Sequence, residues 1–258
     1  MDYETITREV AGGVAVLTLN RPAVMNAMSA VSRAELRAAL AAVQPAARVI
    51  VLTGAGRAFC SGQDLVDAGP LGSFDLEAVL NDEYVPLLAA ISECPVPVIA
   101  AVNGVAAGAG ANLALACDVV IATESASFVQ AFTRIGLVPD AGGTYWLPRQ
   151  IGFSRAMGTM LFGGSVSARQ AADWGMIWEA VPDAAFAAHW QACADVLAAG
   201  PTVAYRGIKQ ALRASFANDL AAQLALEARL QGQCGQTQDF AEGVAAFLQK
   251  RQARFIGQ

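Results

Sequence analysis

The chain has one histidine, His189, in 258 residues. A Ser-His-Asp or Cys-His mechanism would have to be built on it. It stands in an alanine-rich stretch, 184–197, with no nucleophile motif beside it. The chemistry is therefore expected to run on carboxylates and backbone dipoles. Cysteine is sparse as well. Cys60, Cys94, Cys117, Cys193 and Cys234 are odd in number, widely spaced and form no C-x-x-C pair. Neither a disulfide framework nor a structural zinc site is suggested, and no metal is expected. Buried thiols in a reducing compartment fit this usage. No apolar run reaches the ~20 residues of a membrane helix. The opening Met1-Asp2-Tyr3-Glu4 lacks the basic start and apolar stretch of a secretory signal. A cytoplasmic protein without a membrane partner is expected. Positive charge is short too: the net charge is -5, so the basic footprint of a nucleic-acid binder is missing. The one dense cationic spot is Lys250-Arg251-Gln252-Ala253-Arg254. It reads either as a solvated helix end favoured by the macrodipole or as a phosphate contact.

What is present is a large apolar fraction, 55% of residues, enough for a sizeable core in one domain or one domain with an appendage. The segments 14–19, 49–53, 96–102 and 118–122 read as strands. Helical spacing occupies 32–43, 77–91 and 109–116 between them. Strands alternating with helices predict an α/β arrangement with mostly parallel pairing. The β-rich character is expected to end near residue 130. Beyond it, helices are expected over 155–162, 168–174, 184–197, 202–215, 220–231 and 239–251. The glycine- and proline-containing segment 67–74 reads as a mobile surface loop. The division into units falls at 1–195 for the core and 196–258 for a helical appendage.

Three segments carry candidate chemistry. Arg57-Ala58-Phe59-Cys60-Ser61-Gly62-Gln63-Asp64-Leu65 follows the second strand, and Asn103-Gly104-Val105-Ala106-Ala107-Gly108-Ala109-Gly110-Ala111-Asn112 follows the third. Each is a glycine-bearing turn at the carboxyl end of a strand, read as leading into a helix. Ligands of open α/β sheets bind at such ends. Helix-start amides there are unpaired, and two of them could aim at one oxygen. Ordinary tight turns explain the same spacing. A dinucleotide fingerprint does not, because its third glycine is replaced by Leu113 and no acid follows at the required distance. The third segment, Gly136-Leu137-Val138-Pro139-Asp140-Ala141-Gly142-Gly143-Thr144, sets an acid between a proline and paired glycines. It reads as a turn or cap aspartate. Alternatively, it is a base whose pKa is raised by apolar company, namely Phe132, Leu137, Val138, Tyr145 and Trp146.

Taken jointly, these segments resemble the paired signatures of the crotonase (enoyl-CoA hydratase/isomerase) superfamily. Leu19-Asn20-Arg21-Pro22 with Asn26-Ala27, Leu115-Ala116-Cys117-Asp118, the stretch 171–177 and the stretch 242–251 extend the resemblance along the whole chain. It implies a spiral of ββα turns with a C-terminal helical trimerisation region, and a homotrimer or dimer of trimers. It implies an acyl-CoA thioester substrate, with coenzyme A part of the substrate and no cofactor. By position, the Gln63 and Ala109 amides would hold the thioester oxygen. Met25, Ala27, Ala58, Ser61, Asp64 and Leu65 would line the CoA site. Phe247 and Lys250 would approach the CoA of a neighbouring subunit.

Hydratases of the family use two glutamates, at positions occupied here by Asn112 and Phe132. Neither residue can exchange a proton at neutral pH, so ordinary hydration is expected to be very weak. The remaining acid, Asp140, sits at a third position that some members use. The stretch 128–140 is similar to the branch that isomerises ring-1,2-epoxyphenylacetyl-CoA in phenylacetate degradation and also moves double bonds in unsaturated acyl-CoAs. Leu147-Pro148-Arg149 and Gly175-Met176-Ile177-Trp178 point to the same branch. Isomerisation with Asp140 as acid and base is therefore expected, with Asn112, Phe132, Tyr145 and Trp146 around the acyl group. A dehalogenase of the family also uses an aspartate here, but it needs a partner histidine absent from 77–93. The alternatives are a hydratase-like activity or a non-catalytic member that binds acyl-CoA or RNA.

Overall fold

Valine and isoleucine runs bounded by glycine build the centre of the molecule, and the computed structural model describes residues 3–66 and 75–258. The segment 67–74, expected to be a loop, lies outside the described residues. Strands β1 (Ile6–Ala11), β2 (Val14–Leu19), β3 (Val49–Gly54), β5 (Val98–Val102), β7 (Val119–Thr123) and β10 (Glu179–Val181) form one sheet in the order β1-β2-β3-β5-β7-β10. The β1–β2 pair is antiparallel and the other pairs are parallel. Strands β4 (Ala58–Cys60), β6 (Val105–Ala107), β8 (Ser127–Val129) and β9 (Ser165–Ser167) form a second sheet in that order. After each of β3, β5 and β7 the chain turns a short corner and places its next strand in the second sheet. That stepwise repeat is the ββα spiral.

The parallel centre of the first sheet, β3 and β5, is buried on both faces, as parallel strands with covering helices are, whereas the antiparallel edge strand β1 is exposed after Ile6. Alternation along the strands divides the core. Ala15, Leu17, Ile50, Leu52, Ala100 and Val102 join Leu36 and Leu40 of α1 (Ala30–Val43). Val14, Val49, Val51, Ile99 and Ala101 join Phe186, Ala194 and Ala198 of α8 (Asp183–Ala198). Ser29 caps α1 by accepting from the Ser32 amide, which satisfies one of the free first-turn donors. The other helices are α2 (Leu76–Val79) and α3 (Val85–Ser92), joined through a π-helical turn at Leu80–Tyr84, then α4 (Ala109–Leu115), α5 (Gly143–Ile151), α6 (Phe153–Phe162) and α7 (Ala168–Asp173). After α8 come α9 (Thr202–Ala214), α10 (Leu220–Cys234) and α11 (Gln238–Leu248).

The expected helices all form. The expectation that strands end near residue 130 is corrected by β9 and β10. Three residues each are too short for a period to show, and only pairing with β8 and β7 makes them strands. The division drawn at 195/196 falls inside α8, whose Ala194 and Ala198 both pack on the sheet. Helices α9 to α11 are tied to the core by polar contacts. Asp118 bonds Lys209 at 2.6 Å and Arg213 at 2.8 Å, and Arg48 donates to Thr202, Gly200 and Phe255. These helices leave Ile208, Leu212, Leu224, Phe240, Val244 and Phe247 exposed. Among the described residues, no helix is long and apolar enough to cross a membrane.

Asn26 shows what the Asn-Arg-Pro…Asn-Ala motif does. It is buried with φ +56, a left-handed conformation that asparagine tolerates better than most residues. Its Oδ1 accepts from the Arg21 amide at 2.9 Å, and its Nδ2 donates to the Ala55 and Ala58 carbonyls at 2.9 and 2.8 Å. The loop after β2 is thereby stapled to the corner between β3 and β4. Asn26→Ala takes this partner from the Arg21 amide and the Ala55 carbonyl and leaves Ala58 with Asn103 alone, and is expected to cost about 1–3 kcal/mol. A denaturant titration checks this through a lowered midpoint.

Candidate active site

Strands β4 and β6 pair in parallel, with Cys60 opposite Ala106, so their carboxyl ends deliver two loops to one place. A cavity of about 280 Å³ opens there. Gly62, Gln63, Ala107, Gly108 and Ala109 supply its backbone side, and Asp140 stands in its wall. The rest is mainly apolar, with Leu80, Phe132, Ile135 and Leu137 among the lining.

The direction of the Gln63 amide follows from ladder geometry. Met28 donates to the Gly62 carbonyl at 2.8 Å and accepts from the Asp64 amide at 3.1 Å. In a parallel ladder, the residue between such partners turns its N–H and C=O the other way. Gln63 therefore aims its amide away from Met28, toward the cavity. Ala109 opens α4, where first-turn amides have no helical acceptor. Neither amide donates to a protein acceptor among the described residues. Gly62 makes the close approach possible. Its φ is +97, and a Cβ there would lie 2.8 Å from the Ala107 carbonyl oxygen and 3.5 Å from the Ala109 nitrogen. Two unengaged donors at one point can stabilise negative charge on a carbonyl oxygen. The expectation that both donors start helices holds for Ala109 only. Gln63 leads into a turn at 65–66 and owes its direction to the bridge with Met28.

Asp140 precedes two consecutive left-handed residues, Ala141 (φ +47) and Gly142 (φ +80). A left-handed alanine is costly and persists where surroundings hold it. Asn112 does the holding. It is fully buried, donates Nδ2 to the Asp140 carbonyl at 2.8 Å and accepts from Gln130 Nε2 at 2.7 Å. Gly143 leaves room for it, since a Cβ there would come within 2.5 Å of the Asn112 amide. The Asp140 Oδ1 is buried and has no hydrogen-bond partner among the described residues. Burial pushes the Asp140 carboxyl up to about 6, against a smaller opposing effect of its own backbone amide.

Several expected residues fall elsewhere. Tyr145 and Trp146 do not line this cavity. Helix α5 turns them toward α9, into a separate cleft with Arg149, Arg213 and Phe216. There the Arg149 guanidinium lies 3.7 Å over the Tyr145 ring. Val138 points outward and is exposed. Asn112 lies beneath the cavity and holds its floor without lining it. Phe132 does line it, with its ring against Gly108. Ala58 is buried and its carbonyl accepts from Asn26 and Asn103. Asp64 is bound to Arg21 at 2.7 Å, and the Ala27 carbonyl accepts from the same guanidinium at 2.6 Å. None of these three is in the cavity lining. Ser61 and Leu65 are in the lining, and Met25 is part-exposed with its carbonyl accepting from the Ser61 amide. Phe247 is in the last turn of α11 and Lys250 lies just beyond it, and Phe247 lines an apolar groove between α9, α10 and α11. His189 lies outside the cavity, its Nε2 2.6 Å from Glu179. Tyr84, Gln130 and Arg33 were missed. No motif or spacing marks them.

A cavity at the carboxyl ends of two paired parallel strands, lined by two backbone amides and one carboxylate, is where an α/β protein holds a small ligand. The chain belongs to the enoyl-CoA hydratase/isomerase family, whose model matches residues 9–258, and its fold is the crotonase fold. It is 62% identical to "Probable enoyl-CoA hydratase" of Rhodobacter capsulatus, across the full length of both chains. It is 48% identical to "1,2-epoxyphenylacetyl-CoA isomerase" of Escherichia coli, over 98% of this chain and 99% of that one. The crystal structure of enoyl-CoA hydratase from Bacillus anthracis superposes with a TM-score of 0.92 at 33% identity, covering 99% of this chain and 100% of that one.

The raised carboxyl has a stability consequence with a definite sign. Between the ordinary carboxylate range and about pH 6, the folded state binds more protons than the unfolded state. This group's contribution to stability therefore falls as pH rises through that window. Asp140→Asn is expected to melt higher than wild type at pH 7–8, with the gain vanishing near pH 4. Paired thermal melts across pH check it.

Proposed function

We propose that the chain is an acyl-CoA isomerase. In this reading the thioester carbonyl lies between the Gln63 and Ala109 amides, and Asp140 takes a proton from a nearby carbon and returns it one or two atoms away. The observation that carries the reading is the acid count: among the described residues, Asp140 is the sole acid lining the cavity. The two places where the family's hydratases keep glutamates hold Asn112 and Phe132. Asn112 is fully buried, with its amide bonded to the Asp140 carbonyl and to Gln130, and an amide cannot take a proton from water at neutral pH. A carboxyl near pH 6 suits one residue that acts as base and then acid, with no cofactor.

The substrates proposed are 1,2-epoxyphenylacetyl-CoA, converted to the oxepin, and 3-enoyl-CoA, converted to 2-enoyl-CoA. The apolar wall and the 48% identical isomerase support this choice. CoA is proposed to run past Met25–Ala27 and Ser61–Leu65. Phe247 and Lys250 would reach it from the next subunit of a homotrimer, whose contacts would cover the exposed apolar residues of α9 to α11. A second reading, hydration of 2-enoyl-CoA, is favoured by the name of the 62% identical relative.

Purified protein is expected to turn over epoxyphenylacetyl-CoA or 3-enoyl-CoA at least 10²-fold faster than it hydrates crotonyl-CoA, with products read by chromatography. The reverse ranking would overturn the isomerase reading. Asp140→Asn should keep acyl-CoA affinity while cutting turnover 10²-fold or more. Wild-type turnover should fall as pH drops through about 6, since the base must be ionised.

A further inference from the structure

The π-helical turn at Leu80–Tyr84 lies against the cavity wall. Such turns insert one residue into a helix and recur at functional sites. Here the turn carries Glu83 and Tyr84, and both make contacts that converge on Gln63. Arg33 of α1 is nearly fully buried. It bonds Glu83 through Nε at 2.8 Å and Nη2 at 2.7 Å, and its Nη1 donates at 2.8 Å to both the Met28 carbonyl and Gln63 Oε1. The Tyr84 hydroxyl lies 2.7 Å from the same Gln63 Oε1, and the guanidinium packs over the Tyr84 ring at 4.9 Å.

The chemistry of these groups fixes their roles. A guanidinium only donates, so it sets the Gln63 amide with its oxygen inward. Tyr84 must then donate as well. Burial pushes the Tyr84 hydroxyl well above its ordinary value, and the nearby Arg33 only partly offsets this, so the proton stays in place. Both acceptor directions of Gln63 Oε1 are filled, and its Nε2 donates to the Asp64 carbonyl at 3.3 Å. The side chain of the residue whose backbone N–H faces the cavity is thus held by two donors from two helical segments. Burying an arginine is expensive unless it is paired and fully bonded. An apolar side chain would fill the space at less cost.

We propose that Arg33 and Tyr84 are positioning residues, a clamp that fixes the direction of the Gln63 amide relative to the Ala109 amide. The inference rests on the reading that these two amides hold the thioester oxygen. Tyr84→Phe removes one donor and keeps the ring, the apolar wall and the cation–ring contact. Gln63→Met keeps length and removes the acceptor.

The measurement is the carbonyl stretch of bound 2-enoyl-CoA by difference infrared spectroscopy, together with kcat and KM. Wild type should shift the stretch to lower frequency. Both variants should lose much of that shift and about 10-fold in kcat, with KM changing less than about 2-fold; losing a whole donor costs about 10²–10³. Val43→Ala, a core truncation on the same α1, serves as the stability control and should keep the carbonyl shift and kcat. If wild type shows the shift and both variants retain it, the clamp alone is overturned. If wild type shows no shift, the carbonyl-binding role of Gln63 and Ala109 falls, and the clamp with it.

Discussion

The acid/base role proposed for Asp140 requires a carboxyl taken out of water without being given a counter-ion. A cation in contact would hold its carboxyl down and leave a poor base. Full burial would keep it protonated. The cavity meets both demands with aliphatic and aromatic walls and with a buried Oδ1 that has no partner among the described residues. The nearest arginine of the lining, Arg134, donates instead to the Gly163 carbonyl at 2.6 Å. The left-handed alanine after Asp140 and the buried Asn112 under it follow from the same demand. A carboxylate held only by its own residue's amide must be oriented through its backbone.

The amides opposite Asp140 pose a complementary problem. A free N–H in a folded protein is normally lost to the nearest carbonyl. Here each is kept free by topology. Ala109 is free because a helix begins there, and Gln63 because its neighbours are the ones paired with Met28. The two sites of strain, Gly62 and the Ala141–Gly142 turn, bring these groups within reach of one ligand. Polar groups that are buried elsewhere around the site, such as Asn26, Asn112 and Arg33, have their hydrogen-bonding atoms engaged. Gln130 Oε1 and Trp146 Nε1 are, like Asp140 Oδ1, buried without a partner among the described residues, but of the three residues only Asp140 lines the cavity.

The long elements were legible in the sequence because period and length carry the signal. The buried strands at 49–53 and 96–102 and the amphipathic helices from 202 onward all appear where spacing puts them. The three-residue strands β4, β6, β8, β9 and β10 escaped because they are defined by their partners. Within the site, Gln63, Ala109 and Asp140, singled out through the family resemblance, line one cavity. Tyr145 and Trp146 were misplaced for a physical reason. Nearness in sequence to Asp140 means little once α5 begins at Gly143, since each further residue turns about 100° around the helix axis. Arg33, Tyr84 and Gln130 lie 18 to 30 residues away in sequence from the site groups they bond, and only packing brings them in.

Taken alone, the sequence determined the family. Its two glycine-bearing signatures and the motifs spread along the chain carry that resemblance, and these are matters of residue identity and order. Tertiary structure decided which way the groups point and how dry they are. The direction of the Gln63 amide depends on a bridge to Met28, and the raised carboxyl of Asp140 depends on walls drawn from β6, α2 and the segment 131–137. Direction and desolvation are properties of neighbours in space, and the linear order of residues does not contain them.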